Sequence, residues 1–159
     1  MSGSGRRSGH DAPRRANLAS RGQLSGPLPV KLLVDTHIWL WRLLEPGRLS
    51  ARADGLLADP QNSVHLSPVS VWEALVLARK GRVLLRPDPL AWVRTALQVS
   101  HAVMVPLTHE IAMRSEDLPG FESQDPADRF LVATALVEKL TIVTMDAVML
   151  SYDPVESIS

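Results

Sequence analysis

From residue 31 onward, short apolar runs alternate with longer stretches whose apolar residues recur at helical spacing. The first run, Leu32-Leu33-Val34, stops at Asp35, and a later one, Leu140-Thr141-Ile142-Val143-Thr144-Met145, stops at Asp146. Near-continuous apolar runs of this length suit strands covered on both faces. The pattern predicts strands over 31–36, 63–67, 103–107 and 141–144. It predicts helices over 37–44, from a Ser50 cap to about 58, over 68–79, from Pro87-Asp88-Pro89 to about 99, from a Thr108 cap to about 118, and over 127–139. Pro46-Gly47, Asp59-Pro60 and Gly81 supply stops, and 121–126 reads as a loop. Strands alternating with helices imply an α/β fold with a parallel sheet and right-handed crossovers.

Residues 1–29 break the pattern. They are rich in Gly, Ser, Arg and Pro and show no apolar period. They read as a disordered basic tail ahead of one domain over 30–159. An overlong start or a cloning remnant would also explain them, with the native start at Val30; the mass of the protein from its host decides this. The tail holds five Arg against one Asp, so the zero formal net charge hides an acidic domain with 12 basic and 16 acidic residues. That balance weighs against binding nucleic acid by bulk charge alone. The absence of cysteine excludes disulfides, thiolate catalysis and Cys-based zinc sites. No apolar run reaches the roughly 18 residues of a membrane span, and no signal-type apolar segment opens the chain. The expected location is the cytoplasm, with no membrane partner.

Four acids stand where an α/β sheet builds its site. Asp35 and Asp146 end strands, and Glu73 and Asp128 lie near the starts of helices. Ligands of open parallel sheets bind beyond the carboxyl ends of the strands. Each acid has an ordinary reading taken singly. An Asp after a strand often caps a helix, Ser70 and Glu73 have capping-box spacing, and Asp125-Pro126 is common turn chemistry. Together, four acids at one edge point to an anionic pocket, which a hard divalent cation would relieve.

Four blocks carry a resemblance. They are Leu33-Val34-Asp35-Thr36-His37-Ile38-Trp39, Ser67-Pro68-Val69-Ser70-Val71-Trp72-Glu73, Asp125-Pro126-Ala127-Asp128-Arg129-Phe130-Leu131, and Ile142-Val143-Thr144-Met145-Asp146. In this order and spacing the chain resembles the PIN-domain proteins, most closely the VapC toxins of bacterial toxin–antitoxin pairs. The resemblance implies a three-layer fold with a central parallel sheet of four or five strands flanked by helices. It implies a Mg²⁺-dependent endoribonuclease, Mn²⁺ being an alternative metal, whose products carry a 3′-hydroxyl and a 5′-phosphate. It assigns catalysis to Asp35, Glu73, Asp128 and Asp146. Asp35 and Asp128 are the expected direct metal ligands, and Thr36, Asp125, Arg129 and Thr144 are accessory. It also implies an RNA substrate, a cognate antitoxin and a homodimer. The chain departs from the family pattern at Ser123, where His is usual, and at Ala127, where Phe is usual.

Competing readings are a non-catalytic RNA- or protein-binding module on the same fold, marked by loss of an acid, and another metal-dependent phosphohydrolase. Other residues have two readings each. His37 faces the pocket or starts a helix. Arg129 pairs with an acid, holds a phosphate or is structural. The cluster Arg79-Lys80-Gly81-Arg82 grips a phosphate backbone or complements a helix end. At least three of Trp39, Trp41, Trp72 and Trp92 are expected in the core or a dimer interface. The surface around Trp39, Trp41 and Leu44 is the expected seat for an antitoxin's apolar anchors.

Overall fold

The computed structural model describes residues 28–159 and Gly3, so the expected tail over 1–29 lies almost wholly outside the described residues. Strand β1 (Lys31–Val34) is followed by helix α1 (Thr36–Leu44), a 3₁₀ turn (Pro46–Arg48) and α2 (Ala51–Ala58). Strand β2 (Ser63–Leu66) leads into α3 (Pro68–Arg79) and α4 (Pro89–Ser100). Strand β3 (Val103–Met104) precedes α5 (His109–Glu116) and α6 (Pro126–Glu138). The chain closes with β4 (Thr141–Val143), α7 (Ala147–Leu150) and β5 (Ser157–Ile158).

All pairings are parallel, in the order β3-β2-β1-β4-β5. The order is explained by the apolar runs. In β1, Leu32 and Val34 enter one core and Leu33 the other; in β4, Val143 and Ile142 divide in the same way. A strand buried on both faces belongs at the middle of a sheet between helical layers. Helices α1 to α4 supply one layer, through residues such as Ile38, Leu57, Ala74 and Val93. Helices α5 to α7 supply the other, through Ile111, Leu131 and Met149. The expected three-layer fold with a five-strand parallel sheet is present.

Local signals set most element ends. Ser50, Asp88 and Thr108 cap α2, α4 and α5 by accepting the amides of Ala53, Ala91 and Ile111. Gly81 has φ +68°, a conformation glycine adopts freely, and ends the chain's run from α3. Some expectations need correction. Strand one ends at Val34, and Thr36 already belongs to α1. Strand three shrinks to two residues because Pro106 has no amide to continue a ladder. Helix α5 stops at Glu116, short of 118. The capping box from Ser70 to Glu73 does not form. Pro68 occupies the first helical position, so the cap is Ser67, and Ser70 lies buried inside the helix. Strand β5 and helix α7 lie beyond the last predicted strand.

The order also fixes where a site can be. From β1 the chain winds outward through β2 to β3, then returns to add β4 and β5 on the other side of β1. The reversal falls between β1 and β4, and that switch point opens a crevice at the carboxyl ends of the strands.

Candidate active site

Asp35 leaves β1 at this switch point. Its amide donates to the Val143 carbonyl (3.0 Å), continuing the β1–β4 ladder one residue past the strand. Backbone geometry makes Asp35 the N-cap residue of α1, yet its side chain makes no capping bond. Instead Oδ2 accepts the Thr144 hydroxyl at 2.7 Å. Asp35 is only 5% exposed. Burial pushes its carboxyl above the ordinary carboxylate range; Asp128 adds to the rise, while the Thr144 hydroxyl, His37 and the Thr36 amide oppose it.

Thr144 is fully buried and has both sides of its hydroxyl committed. It donates to Asp35 and accepts the Asp146 amide at 3.0 Å. Asp146 Oδ1 accepts the Val148 and Met149 amides, both at 2.9 Å, and so caps α7. Thr36, also buried, donates its hydroxyl to Glu73 Oε2, tying α1 to α3. Burial raises the Glu73 carboxyl, and Asp35 and Asp125 raise it further against Thr36 and His37.

The third acid is held by a residue that the sequence marked only as a departure. Ser123 Oγ donates to Asp128 Oδ2 at 2.7 Å and accepts the Asp125 amide at 3.2 Å. Burial raises the Asp128 carboxyl, Ser123 opposes it, and Asp125, Asp146 and Glu73 add to it. Asp125 itself caps α6 through the Ala127 amide (2.8 Å), so its turn-forming reading holds.

Asp35, Glu73, Asp125, Asp128 and Asp146 line one cavity of about 510 Å³. The four predicted catalytic acids are thus brought together, with Asp125 beside them. His37 lines the same cavity and packs against Trp41 with tilted rings, centroids 5.8 Å apart. The cavity runs on past Leu40, Trp41, Leu44 and Leu77 to Arg48 and Arg82. The Arg48 guanidinium lies 4.2 Å from the Trp41 ring centroid. Of the basic cluster over 79–82, only Arg82 lines this cavity.

Arg129 makes no described contact with the acids. Its guanidinium donates to the Ser123 carbonyl at 3.2 Å and lines a separate cavity with Ser115 and Gln124. Its place in the helix turns it toward the 121–125 loop. Trp39 is corrected: it is 2% exposed and packs edge-on against Trp92, so it offers no surface to a partner. Trp41 remains at the cavity, and Trp72 is 55% exposed elsewhere.

Among the described residues, no three acidic or histidine side chains already stand in an ion-holding arrangement. The donor chemistry nevertheless fits a hard cation. Each of the three acids lifted by burial is held by a neutral hydroxyl. Of the six acids that line the cavity, Glu45 pairs with Arg48, and among the described residues Asp35, Glu73, Asp125, Asp128 and Asp146 have no basic partner. Oxygen-only donors with uncompensated charge are what Mg²⁺ and Mn²⁺ prefer.

Of the three hydroxyls, Thr36 and Thr144 were expected as accessory residues and Ser123 was not. Thr36 and Thr144 neighbour named acids, and Ser123 stands two residues before Asp125 as Thr144 stands before Asp146. A hydroxyl–x–Asp pattern repeated at both places was the available signal.

Known proteins share this architecture. A relative from Mycobacterium tuberculosis, ribonuclease VapC22, is 30% identical over 115 residues, covering 72% of this chain and 86% of its own. The fold matches VapBC2 of Rickettsia felis, solved with a promoter DNA fragment, at TM-score 0.62 and 14% identity, over 81% of this chain and 98% of that one. It matches VapBC-1 of Haemophilus influenzae at TM-score 0.59 and 12% identity, over 82% and 98%. At such identities the structural likeness speaks for the fold. Residues 32–153 match the PIN domain, and the chain belongs to the PIN-domain family.

Proposed function

We propose that this protein is a metal-dependent endoribonuclease and the toxin of a toxin–antitoxin pair. One observation carries the reading: carboxylates from separate segments meet at the switch point, three of them held by neutral hydroxyls and the catalytic four without a basic partner among the described residues. The 30% identity to a ribonuclease supports it. A non-catalytic module would have no need of four intact acids at the expected positions.

Asp35 and Asp128 are the residues that would hold Mg²⁺ or Mn²⁺, with Asp146 and Glu73 completing the anionic wall. Once bound, the ion supplies Lewis-acid charge at the scissile phosphate and a more acidic water. The chain's own residues do the rest. Thr144 and Ser123 orient Asp35 and Asp128 by occupying one oxygen of each. Thr36 occupies Glu73 Oε2, so Oε1 is the atom suited to take the proton of an attacking water. The raised carboxyl makes Glu73 a better base than an ordinary exposed glutamate. Purified protein freed of any partner should cut structured RNA with Mg²⁺ or Mn²⁺ and stop with EDTA. Undiminished cleavage in excess EDTA would overturn the metal mechanism.

An antitoxin is the second part of the proposal, supported by the toxin–antitoxin complexes among the structural neighbours. The apolar stretch of the cavity at Trp41, Leu44 and Leu77 would take its apolar anchors. A guanidinium from the same segment would fork onto the cavity acids. Co-expression should retain the partner and reverse growth arrest. An Arg→Ala change in that antitoxin segment should weaken inhibition more than assembly. Retention of no partner and no growth effect of the free protein would refute the toxin assignment, even with nuclease activity intact.

The protein is further proposed to act as a homodimer. Trp72, Leu107 and Phe130 line an apolar cavity of about 300 Å³ whose wall comes from α3 and α6, the helices that also carry Glu73 and Asp128. A two-fold contact there would set two acidic cavities side by side. Light scattering should give a dimer at micromolar concentration and a monomer for Trp72→Glu; a wild-type monomer would refute it.

A further inference from the structure

We infer that Ser123 is a positioning residue of the metal site, its hydroxyl fixing the carboxylate of Asp128 for ion binding. The inference rests on the metal-dependent reading above. Ser123 is one of the two places, with Ala127, where the sequence leaves the pattern it resembles.

The loop that carries Ser123 is anchored on both sides. Phe121 is buried and packs at a tilt against Tyr152 with centroids 5.1 Å apart, and the Tyr152 hydroxyl donates to the Pro119 carbonyl at 3.2 Å. On the other side Arg129 holds the carbonyl of Ser123 itself. With the backbone fixed, the Asp125 amide occupies a lone pair of the hydroxyl (3.2 Å), and the single proton is directed at Asp128 Oδ2 (2.7 Å). A hydroxyl has only one proton to give, so this donor is aimed before any ion arrives. Among the described residues Asp128 Oδ1 accepts no hydrogen bond, which leaves that oxygen for a cation. Thr144 gives Asp35 the same support, through the same pair of bonds. The two carboxylates expected to hold the ion are therefore the two served by a hydroxyl whose own acceptor side is tied to a neighbouring amide. Groups that orient metal ligands from behind typically contribute about 10- to 100-fold in metal affinity or activity.

The test is a calorimetric titration of the purified full chain with Mn²⁺ alone, beside thermal melts of the metal-free protein. Ser123→Ala should weaken Mn²⁺ binding about 10-fold or more and leave the metal-free melting temperature unchanged. Ser123→Thr, which keeps the hydroxyl, should restore binding to near the wild-type value. A merely structural role would move the melt and spare the titration. Wild-type binding with an unimpaired Ser123→Ala variant, or failure of Thr to rescue, overturns the inference alone. A wild-type chain that binds no Mn²⁺ overturns the metal reading and this inference with it.

Discussion

At the strand ends, Thr144 accepts the Asp146 amide and donates to Asp35; on the 121–125 loop, Ser123 accepts the Asp125 amide and donates to Asp128. The local turn is the same, hydroxyl–x–Asp, but its settings differ. Thr144 is fully buried, and its strand is locked by the ladder between β1 and β4. Ser123 is half-exposed on a loop pinned by Phe121 and Arg129. One half of the site takes its rigidity from the sheet and the other from side-chain anchors. Loss of a hydroxyl should therefore cost folding free energy on the first half and ligand geometry alone on the second.

The largest effect comes from removing the acids themselves. Asp35→Asn and Asp128→Asn should each lower cleavage at least about 100-fold, since Lewis-acid stabilisation supplies several kcal/mol and each 1.4 kcal/mol is tenfold. Their metal-free stabilities should separate the two halves. Burial raises the Asp35 carboxyl, so its charged form opposes folding and a neutral amide removes that cost. Asp35→Asn should melt at least as high as wild type, and a gain of about 1 kcal/mol would appear as roughly 2–4 °C. The gain should be smaller for Asp128, which is less buried. Equal or reversed shifts would break the comparison, and retained turnover at saturating metal would remove the ligand assignment.

The next effect separates the hydroxyls. Thr144→Val leaves a buried Asp35 oxygen and the Asp146 amide without their partner, which should destabilise the fold by about 1–3 kcal/mol. Denaturant melts check this against Ser123→Ala, which should lie close to wild type. A Thr144→Val variant as stable as wild type would mean that the sheet needs no hydroxyl to hold Asp35.

The smallest effect is expected from the capping acid of the loop half. Asp125 uses Oδ1 to cap α6, and an asparagine caps as well as an aspartate. Asp125→Asn should keep the melting temperature and cost less activity than Asp128→Asn. The reverse order in kcat would show that Asp125, and not Asp128, is the principal acid of this block.

What the sequence disclosed follows the range of the interactions. Leu32, Leu33 and Val34 are apolar without alternation because both faces of β1 are covered, and that is visible in three residues. Ser50 and Thr108 cap helices through bonds spanning three residues, so they too are readable. The acids were legible as a set because each closes or opens an element. Of their holders, Thr36 and Thr144 were named as accessory, but neither which acid each holds nor the role of Ser123 was legible. Thr36 meets Glu73 across 37 positions and Thr144 meets Asp35 across 109, and no local pattern encodes either pairing. Strand β5 was equally hidden: it is two residues long, and its neighbouring contact, the Ile142 amide on the Glu156 carbonyl, exists only after the chain has folded back. Arg129 reaches the Ser123 carbonyl and not its neighbour Asp128, because consecutive helix residues project in different directions.

The 109 positions between Asp35 and Thr144 are also an interval of time. A ribosome adds about 5–20 residues per second, so Asp35 waits on the order of ten seconds for the strand that supplies its donor and half of its crevice. Until β4 is made, the growing chain has acids but no switch point to gather them. The order in which the gene is read thus withholds the proposed nuclease from its own unfinished copies, and a chain halted before Thr144 should leave RNA uncut.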